Sequence, residues 1–291
     1  MKFKMMLLSV LLSFNVCAQP TTVFLPVGSG GLIHKYALEM QPFFNKELDG
    51  VVYELKPGAN GMIGAAHLAE NKTEKMVLLF GPVQNWPTNP LTDMIPVAYM
   101  GTIPGVIFSK PNAKYSNFKQ ALEYASGNPI SYGVPTASNN GKLIRSLAEK
   151  YSTSANVVEV PYKSGGMITS DVVGGHLEIG VSIPNVVNQY VDEGKLVGLA
   201  VFAAQRSHYL PNVPTLREQG LSTPQDYKYF NNVFLFANKS ADPKQVERLR
   251  KRIAEYMRSD ESLDVRKKMD IHFGKQSITS PEKYIKEIIT E

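Results

Sequence analysis

The chain has 291 residues, of which 43% are hydrophobic, 20% charged and 10% aromatic. About 150 residues per domain is typical, so the length accommodates two α/β-sized units, and the ordinary globular composition excludes a disordered, collagen-like or disulfide-scaffold chain. The net charge of +5 is scattered except for one C-terminal helix-like stretch, which argues against nucleic acid as a partner and leaves a small anion as a reasonable one.

Lys2 and Lys4 precede an apolar run from Met5 to Leu12, and Val16-Cys17-Ala18 sets modest residues where a signal peptidase reads. Residues 1–18 are therefore expected to be a secretory signal peptide. The apolar run is shorter than the roughly 20 residues of a spanning helix. Cys17 is the single cysteine, so the cleaved chain has no disulfide. Lipidation at Cys17 is the alternative, but Phe14-Asn15-Val16 lacks the Leu and small residues of such a site. The pattern suits a bacterial periplasm.

From Thr21 onward short β-type runs alternate with helical patterns. Thr22 to Leu25 leads into a glycine turn and then an apolar-periodic stretch with Tyr36, Met40, Phe43 and Phe44, which is the strand–turn–helix grammar of α/β proteins. Val51 to Leu55 repeats it, followed by a helix through His67 and Ala69. Met76 to Phe80 is a continuous apolar run of buried parallel-strand type. Pro82, Pro87, Pro90, Pro96 and Pro104 then mark a segment read as connection and crossover, through which helices do not run. The grammar returns at Ile130–Tyr132, Val157–Val160, Ile179–Val181 and Val197–Phe202, giving a second α/β unit. After Pro211, Pro214 and Pro224 come an apolar strand at Val233–Phe236 and helices from Pro243 to Arg258, opened by Asp242-Pro243, and from Pro281. These last helices are expected to return to the first unit. The expected architecture is a first lobe of 19–102 plus 230–291 and a second lobe of 103–229. Each is a mostly parallel sheet flanked by helices, with a cleft between them.

Enzyme motifs fail one by one. A nucleophile elbow needs glycine two residues before Ser29, where Val27 stands. The dinucleotide fingerprint breaks at Ile33, and the phosphate-loop pattern breaks at Gly141-Lys142-Leu143. The five histidines show no paired ligand spacing, and His67 with Glu70 reads as a helix-surface pair, so no metal and no cofactor are expected. Four glycine-rich or polar turns remain: Gly28–Gly31, Gly58–Gly61, Pro135–Gly141 and Tyr162–Gly166. In an open α/β sheet such turns form the ligand crevice, where helix N-termini present free N–H groups to an anion. Lys142 and Lys163 are available to neutralise a carboxylate. Trp86, the single tryptophan, either lines the cleft or caps the core.

At this point the chain resembles the periplasmic substrate-binding components of tripartite tricarboxylate transporters, the Bordetella uptake gene family. The resemblance is carried by Pro26-Val27-Gly28-Ser29-Gly30-Gly31, Lys56-Pro57-Gly58-Ala59-Asn60-Gly61-Met62-Ile63-Gly64 and Val160-Pro161-Tyr162-Lys163-Ser164 with Asp171-Val172-Val173-Gly174-Gly175. It continues through Gln205-Arg206-Ser207, Leu210-Pro211-Asn212-Val213-Pro214-Thr215 and Glu218-Gln219-Gly220. It implies a two-lobed, non-enzymatic binding protein of type II-like fold. Such a protein closes on a small organic anion, usually a carboxylate, and delivers it to membrane permease subunits; signalling to a membrane sensor is the alternative. The contacts it implies are Ser29, Gly30, Gly31, Gly58, Ala59, Asn60, Gly61, Thr136, Ser138, Asn139, Tyr162, Lys163 and Ser164. His34 replaces the family's acidic residue, and Lys142 stands where a histidine is common. The family's Ser-Gly-Asn-Gly loop reads Pro135-Thr136-Ala137-Ser138, and the usual Asp-Gly is missing at Thr73-Glu74-Lys75. With His34 and Lys142 added to the site, the cleft is expected to be more cationic and to suit a ligand with more than one negative charge.

Overall fold

The computed structural model describes residues 20–82, 90–136, 139–222 and 230–273, together with 283 and 285. The expected signal peptide, Trp86, Ser138 and nearly all of the helix expected from Pro281 lie outside these residues. The first part of the chain runs β1 (Thr21–Leu25), α1 (Leu32–Glu47), β2 (Val51–Leu55), α2 (Met62–Ala69), β3 (Leu78–Pro82), α3 (Pro90–Asp93) and β4 (Met94–Ile103). The middle runs β5 (Gly105–Ser109), α4 (Phe118–Tyr124), β6 (Ile130–Pro135), α5 (Asn139–Lys150), β7 (Val157–Tyr162), α6 (Gly165–Gly174), β8 (Ile179–Ser182), α7 (Pro184–Asp192) and β9 (Val197–Phe202). β10 (Asn231–Asn238), α8 (Pro243–Tyr256) and α9 (Asp260–Met269) follow.

The strands form two five-stranded sheets, ordered β2-β1-β3-β10-β4 and β7-β6-β8-β5-β9. In each, two pairings are parallel and two antiparallel. Four of the five strands in each sheet run the same way, as the mostly parallel pattern expected from sequence requires, and a single reversed strand, β10 in the first and β5 in the second, makes the sheets mixed. β5 follows β4 directly across to the second sheet, and β10 is the first strand of the first sheet after the chain returns. A strand arriving from the cleft end must run against neighbours whose carboxyl ends point toward that cleft.

Two elements fall where the sequence reads only connection. β4 is ten residues long and contains Pro96, and α3 is a single turn beginning at Pro90. Both obey proline chemistry. β4 is the outer strand of its sheet, where a residue without an N–H is tolerated, and a proline in the first turn of a helix forfeits no hydrogen bond.

Alternation along the strands sets the layers. Val23 and Leu25 face a core built with Tyr36, Met40 and Phe44 of α1 and Val246, Leu249 and Ile253 of α8. Phe24, between them, faces Ala65 and Leu68 of α2 with Phe234 and Phe236 of β10. α8 therefore packs on the first sheet, as expected, and so does α9, a helix the sequence reading did not name. In the second sheet Tyr132 and Val134 face α4 and α5, while Val106 and Phe108 face Ile168, Val172 and Val187 of α6 and α7. Full burial of each large side chain contributes about 1.5–3 kcal/mol.

The lobes also meet away from the crossing strands. Asp270, in left-handed conformation at the end of α9 (φ 52°), accepts from Ser207 Oγ at 2.6 Å and from the His208 amide at 2.9 Å. His272 pairs through its backbone with Thr102 of β4. The segment carrying Ser207 and His208 belongs to the second lobe: Leu210 and Val213 pack beside β9, and Thr215 bridges to Val201. Several residues of the Gln205–Gly220 motif build this segment. Thr215 and Glu218 cap each other reciprocally, Glu218 Oε2 accepting the Thr215 amide at 2.7 Å and Thr215 Oγ1 accepting the Glu218 amide at 3.1 Å. Arg206 closes on Glu218 at 2.9 Å. That is a capping box doing structural duty.

Candidate functional site

The carboxyl ends of both sheets face a cavity of about 420 Å³, within the size range of small-molecule sites. Pro82, Ile103 and Asn231 reach it from the first sheet, with Leu32 at the head of α1. Pro135, Thr136, Val181 and Ser182 reach it from the second, with Asn140 of α5, the start of α6 at Ser164-Gly165-Gly166, and Ile183 and Val186 at the start of α7. The crevice thus lies where open α/β sheets bind ligands.

The start of α6 is its most polar corner. Ser164 is extended (φ −156°, ψ 155°) and its hydroxyl accepts the Met167 amide at 3.4 Å, so one of the first-turn N–H groups is capped. The amides of Gly165 and Gly166 have no acceptor within the helix, by helix geometry. Ser182, at the end of β8, is 5% exposed, and its hydroxyl has no partner among the described residues. That hydroxyl lies against Gly165, where any side-chain carbon would collide with it. Glycine is therefore what permits this approach. Leu32, Ile103, Val181, Ile183 and Val186 supply an apolar wall. No lysine, arginine or histidine is among the described residues that line the cavity.

Of the residues expected from sequence, Thr136 and Ser164 line the cavity. Ser29, Gly30 and Gly31 form an exposed turn immediately before the lining residue Leu32. His34 turns back on that turn, its Nδ1 accepting the Gly30 amide at 3.0 Å, so it serves as a local cap. Gly58, Ala59 and Asn60 lead into α2, and Gly58 (φ 123°) and Gly61 (φ 91°) take left-handed backbone that suits glycine. Asn139 is buried beside Asn140, while Lys142 and Lys163 are exposed. The Tyr162 hydroxyl donates to Asp171 Oδ2 at 2.6 Å. This bond, with some burial, pushes the phenol up to about 12, and the carbonyl of Tyr162 accepts from Thr136. Asn140 lies in the Pro135–Gly141 turn singled out from sequence, whereas Ser182 and Asn231 escape sequence reading because neither stands in a glycine turn. The available signal for Ser182 was the Ser182-Ile183-Pro184 junction, where a strand hands over to a helix with proline at its start.

A smaller depression of about 200 Å³ on the first lobe is lined by Glu47, Arg248 and Arg252 among others. Its buried carboxylate is already paired. Arg252 donates to both carboxylate oxygens of Glu47 at 2.8 and 2.9 Å, and this bonding, against the opposing effect of burial, holds the Glu47 carboxyl below its ordinary range.

Two mixed α/β sheets with helices on both faces, and a cavity between their carboxyl ends, define a two-lobed binding protein. The chain belongs to the tripartite tricarboxylate transporter family of receptors, whose family model matches residues 41–290. It is 24% identical over 256 residues to the protein BugT of Bordetella pertussis, covering 83% of this chain and 77% of that protein. It is 28% identical over 210 residues to a Cupriavidus necator protein of the UPF0065 group, covering 68% and 62% of the two. Among solved structures it is similar to the periplasmic binding protein BugD, with a TM-score of 0.69 at 20% identity over 92% of this chain and 94% of that one. MatC of Rhodopseudomonas palustris, solved with malate, has a TM-score of 0.70 at 18% identity, covering 92% and 96%. A second R. palustris protein, solved with adipate, has a TM-score of 0.70 at 19% identity, covering 92% and 93%. Among the described residues no helix is long and apolar enough to cross a membrane.

Proposed function

We propose that the protein is a periplasmic solute-binding protein. It captures a small organic carboxylate between a lobe of 19–102 plus 230–291 and a lobe of 103–229, and hands it to the membrane subunits of a tripartite tricarboxylate-type transporter. The observation that carries this reading is the corner formed by Ser182 and the start of α6. A buried hydroxyl with no partner among the described residues sits beside first-turn amides at the positive end of a helix, which is an anion site without a lysine or arginine. Malate and adipate in the structures of related proteins are consistent with it.

The cleft's chemistry refines the substrate. Neutral donors stand at one end and an apolar wall of Leu32, Ile103, Ile183 and Val186 lies beyond. That combination suits a carboxylate with a hydrocarbon body, its charge held by hydroxyl and amide groups and its carbons against the wall. The turn at Ser29–Gly31, with Gly58–Gly61, is the first lobe's contribution on closure. His34 and Lys142 do not line the cavity, so they do not support the expected added positive charge, and binding of multiply charged anions is not favoured over singly charged ones on their account.

The test is a thermal-shift and calorimetric screen of the purified protein against mono-, di- and tricarboxylates, amino acids and aromatic acids. A ligand at about 100 times its Kd adds about 2.7 kcal/mol of stability, a shift of several degrees. A carboxylate hit that weakens in Ser182→Ala supports the reading. A hit outside the carboxylates, or one indifferent to Ser182, refutes it.

A further inference from the structure

His272 follows Asp270 by two residues, and the meeting of the lobes brings the distant His208 onto the same carboxylate. Asp270 Oδ1 lies 3.1 Å from His208 Nδ1 and 3.3 Å from His272 Nε2, and the three ligand atoms lie within 4.8 Å of one another. The two imidazoles are 5.8 Å apart and perpendicular, at 89°. We propose that His208, Asp270 and His272 form a binding site for a divalent transition-metal ion of the zinc type, at the junction of the two lobes.

The spacing fits the ion. Zinc bonds nitrogen and oxygen at about 2.0–2.1 Å in tetrahedral geometry, which separates neighbouring ligand atoms by about 3.3 Å. Both nitrogen–oxygen edges already have that length, and a small rotation of the half-exposed His208 ring adjusts the remaining one. Two imidazoles and one carboxylate suit zinc, nickel or copper, whereas calcium and magnesium require mainly oxygen ligands.

The surroundings hold the ligands in place. Asp270 is 2% exposed, and its second oxygen is fixed by Ser207 Oγ at 2.6 Å, the type of supporting contact that orients a metal-bound carboxylate. His272, 8% exposed, is anchored by two backbone hydrogen bonds to Thr102, at 2.7 and 2.9 Å. Its Nδ1 has no partner among the described residues, so Nε2 is the nitrogen that engages Asp270. Without an ion, Oδ1 is approached by three nitrogens, counting the His208 amide at 2.9 Å, although a carboxylate oxygen offers two lone pairs. An ion takes over the two imidazole contacts and removes that crowding. The His208 side chain is 51% exposed, which leaves a fourth coordination position open to solvent. Thr102 precedes the cavity-lining Ile103, so the ion would staple the second lobe's loop to the end of α9 beside the chain crossing.

Tag-free protein, stripped with a chelator, is titrated with zinc chloride by calorimetry, and with cobalt(II) by visible absorption. The expected result is one zinc per chain at micromolar or tighter Kd, with the intense d–d absorption of four-coordinate cobalt and no response to calcium or magnesium. His208→Ala, at an exposed position, should weaken binding at least about 100-fold, since even residues supporting a ligand are worth about 10–100-fold. Asp270→Asn, which keeps the shape of the side chain, should do the same. Absence of zinc binding up to about 100 times the micromolar range overturns the proposal, as does zinc affinity unchanged in His208→Ala with a normal melting temperature.

Discussion

The hydroxyl of Ser182 lies against the backbone of Gly165, joining the end of β8 to the start of α6 inside the cavity. Ser182 is buried and its hydroxyl has no partner among the described residues, so its removal should separate binding from stability. Ser182→Ala is expected to weaken the carboxylate by about 10-fold, the worth of one hydrogen bond to a charged group. The ligand-free protein should melt at the same or a higher temperature, since the mutation deletes an uncompensated buried hydroxyl. Calorimetry and a thermal melt check the two halves.

Gly165→Ala acts at the same contact from the other side. The new carbon would meet the Ser182 hydroxyl and its Cβ, forcing α6 away from β8. Overpacking of this type costs about 1–3 kcal/mol, and ligand affinity should fall at least about 10-fold with it. Recovery of the melting temperature in Gly165→Ala combined with Ser182→Gly, measured by a thermal melt, checks that the clash with the Ser182 side chain is the cause.

The apolar wall sets preference for the ligand's body. Val186→Asn should weaken a carboxylate with a hydrocarbon chain by about 1–2 kcal/mol, close to the value of a methylene in an apolar pocket. A hydroxy acid of equal charge should lose less. Competition binding of the two acids to wild type and variant measures the difference.

Lys142 is exposed on α5 and outside the cavity lining. Lys142→Ala is expected to change the affinity of mono- and dianions by less than about 2-fold at physiological salt, where exposed charges are screened. A 10-fold loss confined to dianions would restore the cationic cleft as the basis of specificity.

Glu47 is 8% exposed and bonded by Arg252. Its carboxyl is held below the ordinary 4.5, so the pair stabilises the fold above that pH and loses its contribution as pH falls through the lower, folded-state value. Arg252→Ala should therefore lower the melting temperature at pH 7, and the difference from wild type should shrink toward zero in strong acid. Paired melts across pH 2 to 7 check the sign.

Much of the architecture is written in local pattern. Val23–Leu25, Val51–Leu55 and Val197–Phe202 show strand chemistry, the glycine turns after β1 and β2 announce helices, and the motif around Gly28–Gly31 and Tyr162–Ser164 is specific enough to give the family. Periodicity and turn chemistry act between residues close in the chain, so the sequence displays them. β4 was hidden because its Pro96 is permitted by an outer-strand position, and the reversal of one strand in each otherwise parallel sheet, β10 and β5, was hidden because it follows from where the chain crosses between lobes. Ser182 and Asn231 enter the cavity only when strand ends from distant segments are laid side by side. The same holds for the approach of His208 to Asp270 and His272. Proximity between remote segments is a property of the packed lobes, and nothing in the spacing of those residues along the chain encodes it.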